Sequence, residues 1–223
     1  LVELSLGFSS GYLFKCISAI IEKLNFIRII LEKKYISADQ LLADSIELAF
    51  RIIDSGFQPD LIVGVWRGGS PVAIAIQEVL SFLGFNNDHI AIRSISYSGI
   101  GERGEVDLEG LDYLKRNLDA SQKLLLVDDV FDTGLSMEAI IKEINKLYDG
   151  SPPEFRIATP FYKPVNNETG FDPDFYLHET TQWLVFPHEF IGLTDKEIIE
   201  EKPLPEHQKE RLLFLQRRFA NRR

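Results

Sequence analysis

The run Leu124-Leu125-Leu126-Val127, followed at once by Asp128-Asp129-Val130-Phe131-Asp132-Thr133-Gly134-Leu135-Ser136, constrains this chain more than any other stretch. Four apolar residues are too few for a helix, so they read as a strand buried on both faces. The pattern of Met137 to Tyr148 is helical. A strand that delivers carboxylates into a small-residue loop opening a helix is the way α/β proteins build anion sites. Thr133, Gly134 and Ser136 offer backbone N–H groups and two hydroxyls at a helix N-terminus, which suits a phosphate; Leu135 lies between them. Asp128 and Asp129 suit sugar hydroxyls or a Mg²⁺ ion, being acceptors and hard oxygen ligands. Taken alone, the loop also reads as an Asp-rich helix cap; the whole strand–acid–loop–helix unit points to a ligand site.

Other segments repeat the strand-then-helix theme. Ser37-Ala38-Asp39-Gln40 has the spacing of a capping box, and the helix it opens runs through Leu41, Ile46, Ala49 and Ile53 to a terminator at Gly56. Leu61 to Val65 is a buried strand emptying into Trp66-Arg67-Gly68-Gly69-Ser70-Pro71, with Pro71 placed as first helical residue. Arg67, Gly68 and Gly69 are therefore either a second anion loop or a tight turn whose glycines take positive φ. His89 to Ser94 and Arg156 to Tyr162 are further strands, the second ending at Lys163. Strands alternating with helices at this spacing predict a mostly parallel central sheet with helices on both faces. Ligands of such sheets sit at the strand C-termini, which is where Arg67, Asp128, Asp129, Asp132 and Lys163 fall.

Between Ser96-Tyr97 and Gly110 lies a polar, glycine-rich segment, either a functional loop or a solvated β-hairpin. Residues 1–34 carry an amphipathic helical pattern (Leu13, Ile17, Ile20, Leu24, Ile27, Leu31) broken by Lys15, Glu22, Lys23 and Arg28. These charges favour a helix packed on the domain or on a partner over a signal peptide. The division expected is an N-terminal helical extension at 1–34, a core at 35–164, an aromatic-rich hood at 165–200 laid over the strand C-terminal ends, and a C-terminal helix at 201–223.

Composition narrows the partners. The net charge of −10 argues against a nucleic-acid or anionic-membrane binder, and the single cysteine, Cys16, allows neither an internal disulfide nor a Cys-based zinc cluster. A cytoplasmic location is expected. An acidic protein taking a polyanion needs a locally positive site, and the candidate loops with Arg67 and Lys163 provide one.

The 124–136 unit resembles the phosphoribosyl pyrophosphate signature of the type I phosphoribosyltransferases. Tyr162-Lys163-Pro164 and Trp183-Leu184-Val185-Phe186-Pro187-His188-Glu189 resemble the 6-oxopurine members, which act on xanthine, guanine or hypoxanthine. The resemblance covers about residues 35 to 192. It implies that Arg67, Gly68 and Gly69 hold pyrophosphate, that Asp128 and Asp129 hold the ribose hydroxyls directly or through Mg²⁺, and that residues 133–136 bind the 5′-phosphate. It makes Asp132 the general base and Ser96-Tyr97 part of a loop that closes over the sugar. It assigns the base to Lys163, Trp183, Leu184 and Glu189. His188 departs from the pattern, standing where many relatives have another aromatic. The implied partners are phosphoribosyl pyrophosphate and a purine base, with a homo-oligomer, dimer or tetramer, as the usual assembly. Two alternatives share the fold: a non-catalytic regulator that binds phosphoribosyl pyrophosphate, and a transferase for another base.

Overall fold

The structure is a computed structural model that describes residues 33–95 and 107–219. The expected helix before residue 32 and the segment holding Ser96 and Tyr97 lie outside the described residues. In chain order the elements are β1 (Lys33–Tyr35), α1 (Ala38–Asp54), β2 (Leu61–Trp66), α2 (Gly69–Phe82), β3 (Asp88–Ile95), β4 (Asp107–Glu109), α3 (Leu111–Asn117), β5 (Lys123–Val127), β6 (Val130–Phe131), α4 (Leu135–Leu147), β7 (Glu154–Tyr162), β8 (Phe175–Glu179), β9 (Trp183–Val185), α5 (Asp195–Glu201) and α6 (Glu206–Phe219).

The central sheet runs β4-β3-β2-β5-β7-β6, with β8 on the other flank of β7. Every pairing in it is parallel except β3 with β4, which is antiparallel at Arg93↔Glu109, Ser94↔Leu108 and Ile95↔Asp107. The mostly parallel sheet predicted from strand–helix alternation is thus present, and the segment read as loop or hairpin joins an antiparallel strand pair. Alternate side chains of β5 enter two cores: Leu125 and Val127 pack with α1 and α2, while Leu124 and Leu126 pack with α3 and α4. Burial on both faces explains why this strand is apolar without alternation. Ser37 caps α1, its hydroxyl accepting from Gln40 N–H at 3.0 Å. One expectation shifts: α2 begins at Gly69, so Pro71 is its third residue, still within the first turn where a missing N–H costs nothing.

The sheet has one interruption, and it positions the site. β5 and β6 both pair with the same flank of β7, at residues 154–158 and then 161–162. Asp128 and Asp129 lie in the gap, opposite Thr159 and Pro160. Proline has no N–H to donate to a ladder, so the two acids are released from pairing, although Asp128 N–H still reaches Ala158 O at 3.1 Å. β8, from the region expected as hood, extends the central sheet, whereas β1 and β9 form a separate two-stranded parallel sheet with Lys33 opposite Trp183. Among the described residues no helix is long and apolar enough to cross a membrane.

Candidate functional site

Two loops meet at the C-terminal ends of β2 and β5. A Cβ on Gly68 would lie 1.8 Å from Asp129 Oδ2, and one on Gly69 would lie 2.2 Å from the carbonyl oxygen of Val127. Close approach, rather than positive φ, therefore requires these glycines: Gly68 has φ −65° and Gly69 is not among the positive-φ residues. The Trp66–Arg67 peptide bond is cis. Arg67 is exposed and its charge acts on His188 across the cleft.

The contact between the loops leaves Asp129 8% exposed and Asp128 half-buried. Burial first, and the neighbouring charge of Asp129 second, push the Asp128 carboxyl well above the usual range. Burial and then the negative charge of Glu189 raise Asp129 to about 7. Two adjacent carboxylates that resist ionisation together favour a cation between them and the ligand. Among the described residues no group of three or more His, Cys, Asp or Glu is placed to hold a metal. Two neighbouring carboxylates are the donor set that Mg²⁺ uses, since it binds through one or two carboxylates and takes its remaining ligands from substrate oxygens and water.

Beyond the acids the chain turns through Gly134 (φ 77°) into α4. A Cβ at Gly134 would lie 2.6 Å from the Phe131 ring and 2.8 Å from Thr169 Cγ2, so the turn is both left-handed and walled in. A cavity of about 220 Å³ opens here, lined by Asp128, Asp129, Asp132, Thr133, Gly134 and Ser136, with Ile157 and Thr159 behind them. At about 30 Å³ per water in the liquid, that is room for a phosphate group and several waters. Leu135, also predicted for this loop, forms the exposed first residue of α4.

Asp132 faces a second cluster. Its Oδ2 accepts from Lys163 Nζ at 2.7 Å and its Oδ1 from Asn166 Nδ2 at 2.6 Å. Lys163 is only 5% exposed, and its Nζ lies 5.7 Å from the centroid of the Trp183 ring, which is 60% exposed. An ammonium carries three donors, so the ion pair with Asp132 leaves two for a ligand slid along Trp183. Leu184, the next residue in β9, has a buried side chain and contributes through its backbone strand. Glu189 fastens its own loop, Oε2 accepting from Phe186 N–H at 3.0 Å. His188 lies over Phe186 with centroids 5.9 Å apart and planes 14° apart, and its Nε2 is 3.8 Å from Asp129 Oδ2. Burial pushes its pKa down, with Glu189 opposing and Arg67 and Lys202 assisting, so a neutral imidazole faces the acid pair.

The predicted residues at Arg67–Gly69, Asp128–Ser136, Lys163 and Trp183–Glu189 thus gather along one edge of the sheet, while Ser96 and Tyr97 lie outside the described residues. Two residues that sequence reasoning missed belong beside them. Asn166, at the start of the region expected as hood, follows Lys163 by one turn, its N–H donating to Lys163 O at 3.0 Å, and a polar residue at that offset from a strand-end lysine was the available signal. Lys202, buried although it follows a charged helix, had no local signal.

A phosphoribosyl transferase domain model matches residues 36–190. The chain is 33% identical over 156 residues to the xanthine-guanine phosphoribosyltransferase of Desulfotalea psychrophila, covering 68% of this chain and 83% of that protein. It is 28% identical over 143 residues to the human phosphoribosyltransferase domain-containing protein 1, covering 60% of this chain and 61% of the human one. A solved purine phosphoribosyltransferase from Pyrococcus horikoshii superposes with a TM-score of 0.57 at 29% identity, covering 73% of this chain and 97% of the other. The matched residues contain both glycine-walled acids and the loop that opens α4, and they establish that the chain belongs to the phosphoribosyl transferase domain family.

Proposed function

We propose that this protein is a Mg²⁺-dependent purine phosphoribosyltransferase of purine salvage. It would transfer the 5-phosphoribosyl group from phosphoribosyl pyrophosphate to a 6-oxopurine (xanthine, guanine or hypoxanthine), giving the nucleoside 5′-monophosphate and pyrophosphate. The observation that carries the reading is the buried Lys163, held by Asp132 and aimed along the exposed face of Trp183. A fixed donor matches a 6-oxo group and opposes the 6-amino donor of adenine, since two facing donors leave both unpaired. The flat indole sequesters the base at little entropic cost.

In this mechanism residues 133–136 and the start of α4 anchor the 5′-phosphate. Asp128 and Asp129 hold the ribose hydroxyls and would hold Mg²⁺, which supplies charge neutralisation to the departing pyrophosphate. Arg67 and the backbone of Gly68 and Gly69 bind that leaving group. Positive charge develops on the sugar as the C1′–O bond breaks, and the buried carboxylates face it. Asp132 accepts the proton lost from the purine N7, with Lys163 and Asn166 fixing its orientation. A homo-oligomer, dimer or tetramer, belongs to the same proposal; Phe82 and Ile74 on α2 are 89% and 60% exposed and suit a subunit contact.

The test is a spectrophotometric assay of the four purine bases and orotate with phosphoribosyl pyrophosphate and Mg²⁺. Turnover of 6-oxopurines is expected. Absence of turnover with every base, alongside calorimetric binding of phosphoribosyl pyrophosphate, would make the protein a regulator instead.

A further inference from the structure

Lys202, at the C-terminal end of α5, is a buried cation with no role in the chemistry derived above. It is 4% exposed, and its Nζ donates to Phe186 O at 2.8 Å and Pro187 O at 3.4 Å, 5.0 Å from the centroid of the Phe190 ring. Phe186 O also accepts from Glu189 N–H at 3.1 Å, so both of its lone pairs are used. The other end of α5 grips the neighbouring strand. Glu197 Oε1 accepts from Lys33 Nζ at 2.5 Å and from Tyr35 OH at 2.9 Å, while its Oε2 closes the capping box with Thr194. Lys33 and Tyr35 pair with Trp183 and Val185. This seven-residue helix and its C-cap residue Lys202 therefore hold β1 on one side and the loop that follows β9 on the other, flanking the ribbon that carries the exposed indole.

We propose that α5 with its cap residue is the positioning element of the base site, Lys202 fixing the loop after β9 and Glu197 fixing β1 beside Trp183. This helix lies beyond the residues matched by the family model. The inference rests on the reading of Trp183 and Leu184 as base contacts. A buried lysine satisfied by carbonyls is costly to desolvate, and among the described residues its partners Phe186, Pro187 and Phe190 all lie in the loop after β9. Glu197, held down to about 2 first by its Lys33 partner, stays ionised throughout the physiological range.

The experiment compares wild type with Lys202→Met, Lys202→Arg and Glu197→Gln by steady-state kinetics. Trp183 is then probed by acrylamide quenching in a Trp66→Phe background, where it is the sole tryptophan. Lys202→Met is expected to raise KM for the base about 10-fold or more while KM for phosphoribosyl pyrophosphate stays within about 2-fold, since small misplacements of a binding group are heavily penalised. It should also raise the Trp183 quenching constant. Glu197→Gln should move both readouts less, in the same direction, and Lys202→Arg should restore most of the base affinity. Unchanged base KM and unchanged quenching, or a parallel rise of both KM values together with a loss of thermal stability, would overturn the proposal. If the wild type turns over no base, the functional reading fails separately, and the quenching data alone decide whether α5 holds Trp183.

Discussion

At the scale of single residues, the acid pair is where this protein gives up stability for its site. Asp129 is raised to about 7 by burial and by Glu189, so its native form binds a proton that the unfolded chain has released. Between about pH 4 and pH 7 the native state therefore holds more protons than the unfolded one, and stability falls as pH rises through that window. The penalty is fully in force above it. Asp129→Asn should melt several degrees higher than wild type at pH 8, with the difference shrinking towards pH 4. Equal Tm differences at both pH values would show that the carboxylate is not strained by its surroundings. Lys163 and Asp132 present the opposite case: each answers the other at 2.7 Å, and the charge of a nearly fully buried lysine is balanced where a base would bind.

Between elements, the close contact is that of the Gly68-Gly69 turn with the end of β5. A methyl at Gly69 meets the backbone oxygen of Val127, which has no freedom to move, whereas one at Gly68 meets the movable Asp129 carboxylate. Gly69→Ala should cost about 1–3 kcal/mol of stability, the usual range for overpacking, when measured by urea unfolding. Gly68→Ala should unfold closer to wild type. A Gly69→Ala protein of wild-type stability would mean that the loops do not pack as described. The strand at Leu124–Val127 and the cap at Ser37 were legible because local pattern dictates them: an apolar run too short for a helix, and a hydroxyl three residues before Gln40. The break opposite Pro160 was not, because it depends on which strand lies beside β7. The direct tie of Asp132 to Lys163 was equally hidden, since it joins residues 31 apart in sequence.

Over the whole molecule, a chain with net charge −10 places two bases, Arg67 and Lys163, at the ends of core strands beside the acids of the site. Arg67 follows the C-terminal end of β2 and Lys163 the C-terminal end of β7. The carboxyl ends of the parallel strands supply both halves, which is why the strand-end residues alone located the cleft from sequence. The contribution of α5 was out of reach of such reasoning: Lys202 sits 16 residues beyond Phe186, and nothing in its own neighbourhood marks it as buried. The central claim, that this cleft transfers phosphoribosyl groups to purines carrying a 6-oxo group, turns on Lys163. Its most direct test is the ratio of kcat/KM for hypoxanthine to that for adenine, measured with saturating phosphoribosyl pyrophosphate and Mg²⁺ in wild type and in Lys163→Met. The expected ratio is about 10² or more in wild type, falling by about 10-fold or more in the variant as the mismatched donor is removed. A wild type that uses adenine as readily as hypoxanthine, or a variant that keeps the full ratio, would contradict it.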